Sequence, residues 1–132
     1  MWRCRPSVLR AALWALTQVR HVRRQLAAGV MRPTLKDPPI LPSSAIIGVL
    51  AVLTRFSPTC LEGALVRQHW MAHHGDRRDV VIGLPQSDFG ATPAHAWVDG
   101  TDDASARRYI ELHRLAPQLD GLESDEAAPD RT

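Results

Sequence analysis

The chain has 132 residues, the size of one domain, which excludes a two-domain enzyme. Hydrophobic residues make up 45% and charged residues 23%, a composition that excludes an intrinsically disordered protein. The net charge of +2 conceals an uneven distribution. Eight basic residues and no acidic residue precede Asp37, whereas acidic residues crowd the stretch after Leu119.

Secretion and membrane signals are not expected. The longest uncharged apolar run, residues 45–53, is far shorter than the roughly 20 residues of a transmembrane helix. The apolar stretch 11–16 is too short for a signal peptide, and Arg20 follows it closely. Two cysteines, Cys4 and Cys60, are too few for a disulfide framework. The sequence therefore predicts a cytoplasmic protein with reduced thiols and no transmembrane segment.

An amphipathic helix is predicted first. Apolar side chains recur between Val8 and Leu26 at alternating steps of four and three, and Ser7, after Pro6, is a candidate N-cap. The helix should end near Gly29. Its arginines fall mostly off the apolar stripe, and we interpret them as a solvent-facing surface. No nucleic-acid partner is expected, because few aromatic residues accompany these arginines.

Prolines mark the next boundary. Residues 33–44 contain four prolines and are predicted to be a linker. Ser43 or Ser44 then caps a second helix over residues 45–55, which is apolar nearly all round and therefore expected to be buried. Pro58 prevents this helix from continuing.

A third helix follows and begins at a cysteine. Thr59 and Glu62 have the spacing of a capping box, in which each side chain binds the other residue's backbone amide. Cys60 is therefore the first helical residue. Gly75 is a natural residue to end this helix, because glycine adopts the left-handed backbone conformation that follows many helices.

Short strands are predicted after this helix. Residues 80–84 and 94–98 form two of them, with the loop 85–93 between them. Asp99-Gly100 is a tight-turn dipeptide. Residues 109–115 fit either a helix or a strand. The expected fold is α+β, with N-terminal helices and a small antiparallel sheet.

Cys60 and His95 are the candidate catalytic residues. Backbone N–H groups and the positive end of the helix dipole favour a thiolate at the first helical position, and the same groups could hold an oxyanion. His95 lies on a strand, a rigid support for a general base, and acidic residues follow it closely. The alternative for each residue is a place in the core, as a small buried cysteine or a hydrogen-bonded histidine.

Three segments resemble one family. They are residues 58–65, PTCLEGAL; residues 80–84, VVIGL; and residues 94–100, AHAWVDG. Together they resemble the lasso-peptide biosynthesis B protein, in its transglutaminase-like leader-peptidase portion, over about residues 8–115. The chain is too short to include the leader-recognition module that some family members carry upstream, so it is similar to the split form.

The resemblance implies a papain-like or transglutaminase-like cysteine protease core. It implies an enzyme that removes the leader from a ribosomally made precursor peptide. Cys60 would be the nucleophile and His95 the general base. The implied partners are the precursor, a separate leader-recognition protein and an ATP-dependent cyclase that closes the lasso ring. The family places its aspartate farther past the histidine, where this chain has Arg107. Asp103, or alternatively Asp102, must then complete the triad.

Other residues near the motifs have lesser roles in this interpretation. Asp99, which ends the AHAWV motif, is expected to be structural. Trp97 shares a strand face with His95 and would either wall the substrate site or belong to the core. Phe89, in the loop before that strand, is a candidate for shaping substrate entry.

His69 and His73 are four residues apart on the third helix and suggest a zinc pair. The metalloprotease pattern requires a glutamate after the first histidine, and this chain has Trp70 there. Histidines near the end of a helix are also favoured by its dipole. We therefore expect a solvated helix face, with no metal and no cofactor.

These predictions give one domain over residues 1–115. It comprises a basic amphipathic helix (1–32), a proline-rich linker (33–44) and a catalytic core (45–115), followed by an acidic disordered tail (116–132). Two other functions are compatible with the sequence. They are a non-catalytic scaffold of the same biosynthetic assembly, and a transglutaminase-like acyl transferase that would form the same thioester.

Overall fold

The structure is a computed structural model, and it describes residues 5–56, 58–86, 94–101 and 103–118. Four sequence predictions therefore lie wholly or mostly outside the described residues: those for Cys4, Phe89, Asp102 and the acidic tail. In chain order the elements are α1 (Pro6–Ala27), a 3₁₀ turn (Ser43–Ala45), α2 (Ile46–Arg55), α3 (Cys60–His73), β1 (Val80–Pro85), β2 (His95–Val98), α4 (Asp103–Arg108) and β3 (Tyr109–Leu115).

The first helix starts earlier than predicted. Arg5 is the N-cap and Pro6 the first helical residue, so the assignment of Ser7 as N-cap was wrong. Proline suits the first position because its φ angle is already helical and an N–H there would have no helical partner. After Ala27, Gly29 adopts a φ of 88°, as expected for the residue that follows a helix end.

The second helix packs very closely on the first. Neither Ser43 nor Ser44 caps it, because both belong to the 3₁₀ turn that leads into it. Gly48 permits the close approach, since a β-carbon there would collide with the carbonyl oxygen of Val8 in α1. The prediction that this helix is buried nearly all round was wrong, because Ile47 is 60% exposed on its outer side.

The three strands form one antiparallel sheet with the order β2-β1-β3. This arrangement confirms the α+β class and settles residues 109–115 as a strand. The Asp99-Gly100 turn is also confirmed: Thr101 N donates to the Val98 carbonyl, and Gly100 has a φ of 82°. The short helix α4 before β3 was not predicted.

Two apolar clusters form the core, and α1 contributes to both of them. Trp14 and Val19 pack with α2 and with Trp70 of α3 in the first cluster. Val22 packs with α3 and with the sheet in the second. In the described parts of the chain, no helix is long and apolar enough to cross a membrane.

Candidate active site

Cys60 is the first residue of α3, and its side chain is exposed. The predicted capping box is confirmed. Thr59 Oγ1 accepts a hydrogen bond from Glu62 N at 3.2 Å, and Glu62 Oε1 accepts one from Thr59 N at 3.1 Å. Because the cap fixes where the helix begins, it also fixes the direction in which the Cys60 side chain projects from the backbone.

Glu62 links this helix start to α1. It is only 4% exposed, and Arg23 donates to its carboxylate through Nη2 at 3.0 Å and through Nε at 3.3 Å. The hydrogen bond and the charge of Glu62 raise the pKa of the Arg23 guanidinium, which therefore stays charged. The sequence had suggested that Arg23 is only part of a solvent-facing surface. The structure shows that it also neutralises a buried carboxylate beside Cys60.

His95 is the first residue of β2. Its ring stacks on Trp97 with centroids 5.6 Å apart and also contacts Tyr109 of β3 at 5.2 Å. Gly83 of β1 pairs with His95 in the sheet register. Because this central position has no side chain, rings from β2 and β3 can meet across β1.

An open cavity of about 330 Å³ joins these elements. Cys60 and Arg67 line it from α3, and His95 and Trp97 line it from β2. The structure therefore brings together the predicted nucleophile, the predicted base and one of the two predicted substrate-contacting residues. Trp97 lines this cavity and is at the same time largely buried, so it belongs to the core; its contact with a substrate stays a prediction.

The acidic residues after β2 are placed differently from one another. Asp103 is the first residue of α4, just beyond the turn that follows His95, while Asp102 lies outside the described residues. Asp99 contacts a different strand: its Oδ2 accepts a hydrogen bond from Arg114 Nη1 at 2.9 Å. The hydrogen bond from Arg114 to Glu111, and after it the one to Asp99, raise the pKa of the Arg114 guanidinium. The structural interpretation of Asp99 agrees with this ion pair.

Two residues of this site were missed by sequence reasoning. Arg67 is seven residues after Cys60, two helical turns, and that spacing alone could have placed it on the same face of α3. Its Nε is buried and has no hydrogen-bond acceptor among the described residues. The contact of Tyr109 with His95 depends on the order of the strands in the sheet, which no local sequence pattern indicates.

The described residues around Cys60 include no group of three possible metal ligands. The group that does exist in the described part of the chain is Asp37, His69 and His73, near the other end of α3. The expectation of a solvated histidine face there is wrong for His69, whose side chain is only 4% exposed. Helix α3 is covered at this point by the segment that contains Asp37.

Comparison with protein-family models, with curated proteins and with solved structures finds no match for this chain. The functional assignment therefore depends on the chemistry of the cavity and on the sequence motifs.

Proposed function

We propose that this chain is a cysteine endopeptidase that removes the leader from a ribosomally synthesised lasso-peptide precursor. One observation carries the proposal: an exposed thiol at a capped helix start and a histidine on the facing strand line the same open cavity. The PTCLEGAL and AHAWVDG motifs, which supply these two residues, support the choice of substrate.

The reaction would proceed through a thioester. His95 accepts the Cys60 thiol proton as Sγ attacks the scissile carbonyl, and N–H groups at the start of α3 stabilise the oxyanion. The C–N bond breaks, His95 gives the proton to the leaving amine, and the core peptide departs. Water, deprotonated by His95, then hydrolyses the thioester and releases the leader as a carboxylate. Asp103, or alternatively Asp102, would orient His95.

The cavity favours an extended peptide as substrate. It is open and combines apolar walls with the Arg67 side chain, features suited to a peptide backbone that passes across the surface. We infer that a separate leader-recognition protein delivers the precursor, and that an ATP-dependent cyclase uses the freed core. The reaction needs no metal or cofactor, and we place it in the cytoplasm.

Cleavage of the precursor in vitro tests the proposal. The chain is incubated with the precursor and the recognition protein in H₂¹⁸O, and the masses of the products are measured by mass spectrometry. We expect a leader that carries one ¹⁸O, and complete loss of cleavage in Cys60→Ala and His95→Ala. His113→Ala, which alters an exposed histidine on β3, serves as the matched control and should cleave normally.

Three outcomes contradict the proposal. Cleavage that survives Cys60→Ala excludes Cys60 as nucleophile. A leader joined to an added amine in place of water identifies an acyl transferase. No cleavage, together with equally slow iodoacetamide alkylation of Cys60 and Cys4, indicates a scaffold, because an activated thiolate would react first.

A further inference from the structure

A cluster at the far end of α3 has the composition of a metal site. His69 Nε2 and His73 Nε2 both lie against one oxygen of Asp37, at 3.2 Å and 2.9 Å respectively. The three ligand atoms all lie within 4.8 Å of one another. The cluster is separate from the cavity at Cys60, since nine residues of α-helix span about 14 Å.

The spacing of these atoms agrees with a tetrahedral zinc ion. Ligand atoms bound to tetrahedral zinc at about 2.0–2.1 Å lie about 3.3 Å from one another. Both contacts to the Asp37 oxygen are already close to this value. A shift of the two imidazole rings toward each other would complete the triangle. Two histidines at i and i+4 can make this adjustment because they share one face of a rigid helix.

Surrounding residues orient two of the three ligands, His69 and Asp37. The Trp14 ring stacks on His69 with centroids 6.2 Å apart, and Trp14 Nε1 donates to the Lys36 carbonyl at 2.9 Å. Gln18 Oε1 accepts from Lys36 N at 2.8 Å, so both sides of Lys36 are fixed to α1. The position of Asp37 is thereby fixed as well. Such outer contacts orient metal ligands and raise affinity.

An ion can also reach this cluster from solvent. The Asp37 side chain is about half exposed and lines an open cavity of about 490 Å³. Water from that cavity can supply a fourth ligand. Two imidazoles and one carboxylate suit Zn²⁺ or a similar transition ion better than Ca²⁺ or Mg²⁺, which prefer oxygen ligands.

We propose that Asp37, His69 and His73 form a zinc-binding site that clamps the proline-rich segment onto α3. The proposal does not depend on the peptidase assignment. Zn²⁺ would replace the protons that the histidines share with Asp37. Binding would stabilise the folded chain by an amount that rises with the logarithm of the free metal concentration above the dissociation constant.

Calorimetric titration of the tag-free full chain with ZnCl₂ tests this site. We expect one Zn²⁺ per chain and a higher unfolding temperature in its presence. Asp37→Ala and His73→Ala should each weaken binding by about tenfold or more. Both side chains are partly exposed, so both variants should fold, which circular dichroism will check. His69 is not replaced, because its side chain is buried and its removal would disturb folding.

Two control variants have matched chemistry elsewhere. His113→Ala removes an exposed histidine, and Cys60→Ala removes the thiol that could bind zinc by itself; both should keep the wild-type affinity. The proposal is overturned by wild-type protein without saturable one-to-one binding. It is equally overturned by unchanged affinity in Asp37→Ala and His73→Ala, or by loss of binding in Cys60→Ala.

Discussion

Replacing Gly83 by alanine should disturb both the sheet and the candidate base. A β-carbon at this position would lie 2.9 Å from the Ile110 carbonyl oxygen, 3.0 Å from Tyr109 Cβ and 3.1 Å from Trp97 Cη2. Neither the backbone oxygen of a paired strand nor the ring of a buried tryptophan moves easily. The added β-carbon can therefore be accommodated only by an energetically costly shift of the rings that flank His95.

The magnitude follows from two opposing effects. Overpacking of this kind costs about 1–3 kcal/mol, whereas replacing glycine by alanine within an element returns about 0.5–1 kcal/mol. We expect Gly83→Ala to lower the free energy of unfolding by about 1–2 kcal/mol. For a chain of this size that corresponds to a fall of about 4–8 °C in the unfolding temperature. Cleavage should slow by about tenfold or more, because a displaced base loses its alignment with the thiol.

Gly63→Ala is the matched control. This glycine lies within α3, and an added β-carbon would meet only Pro58 Cγ at 3.7 Å and Leu53 Cδ2 at 4.0 Å, both ordinary contacts. It should raise the free energy of unfolding by about 0.5–1 kcal/mol. Thermal and urea unfolding measure both variants. If Gly83→Ala unfolds at or above the wild-type temperature and cleaves normally, the inferred packing of rings across Gly83 is incorrect.

Two further substitutions test the helix start and the cavity donor. Glu62→Ala removes half of the capping box, worth about 1 kcal/mol, and leaves Arg23 without its partner. Urea unfolding should therefore show a lower free energy of unfolding, and cleavage should slow. Unchanged unfolding and cleavage would contradict this role of Glu62. Arg67→Met keeps the packing of the side-chain stem but removes the guanidinium from the cavity lining. The KM for the precursor should rise about tenfold, with kcat and unfolding nearly unchanged, whereas Arg55→Met should alter neither. A lower unfolding temperature with normal KM would show that Arg67 is only structural.

Local patterns predicted α3 well because its signals lie close together in sequence. Thr59, Cys60 and Glu62 form the cap within a single turn, and Gly75 ends the segment. These signals involve backbone amides only a few residues away, so tertiary structure had little opportunity to override them. The placement of the candidate nucleophile could therefore be read from the sequence.

Contacts between distant segments could not be read in this way. Tyr109 reaches His95 only because β1 lies between their strands and has a glycine at that position. Asp37 meets His69 only because Trp14 and α1 hold the proline-rich segment against α3. Both arrangements depend on which elements become neighbours in the fold, information that hydrophobic periodicity does not contain.

The Arg23–Glu62 pair determines how far the chain could be shortened. A fragment that began in the proline-rich segment would keep both Cys60 and His95, and it would still include all three strands. It would also take away the Arg23 partner of Glu62 and remove Val22 from the cluster that packs against the sheet. The smallest fragment of this chain that folds by itself therefore includes α1, and attempts to express the motif-bearing portion alone should give insoluble or unfolded protein.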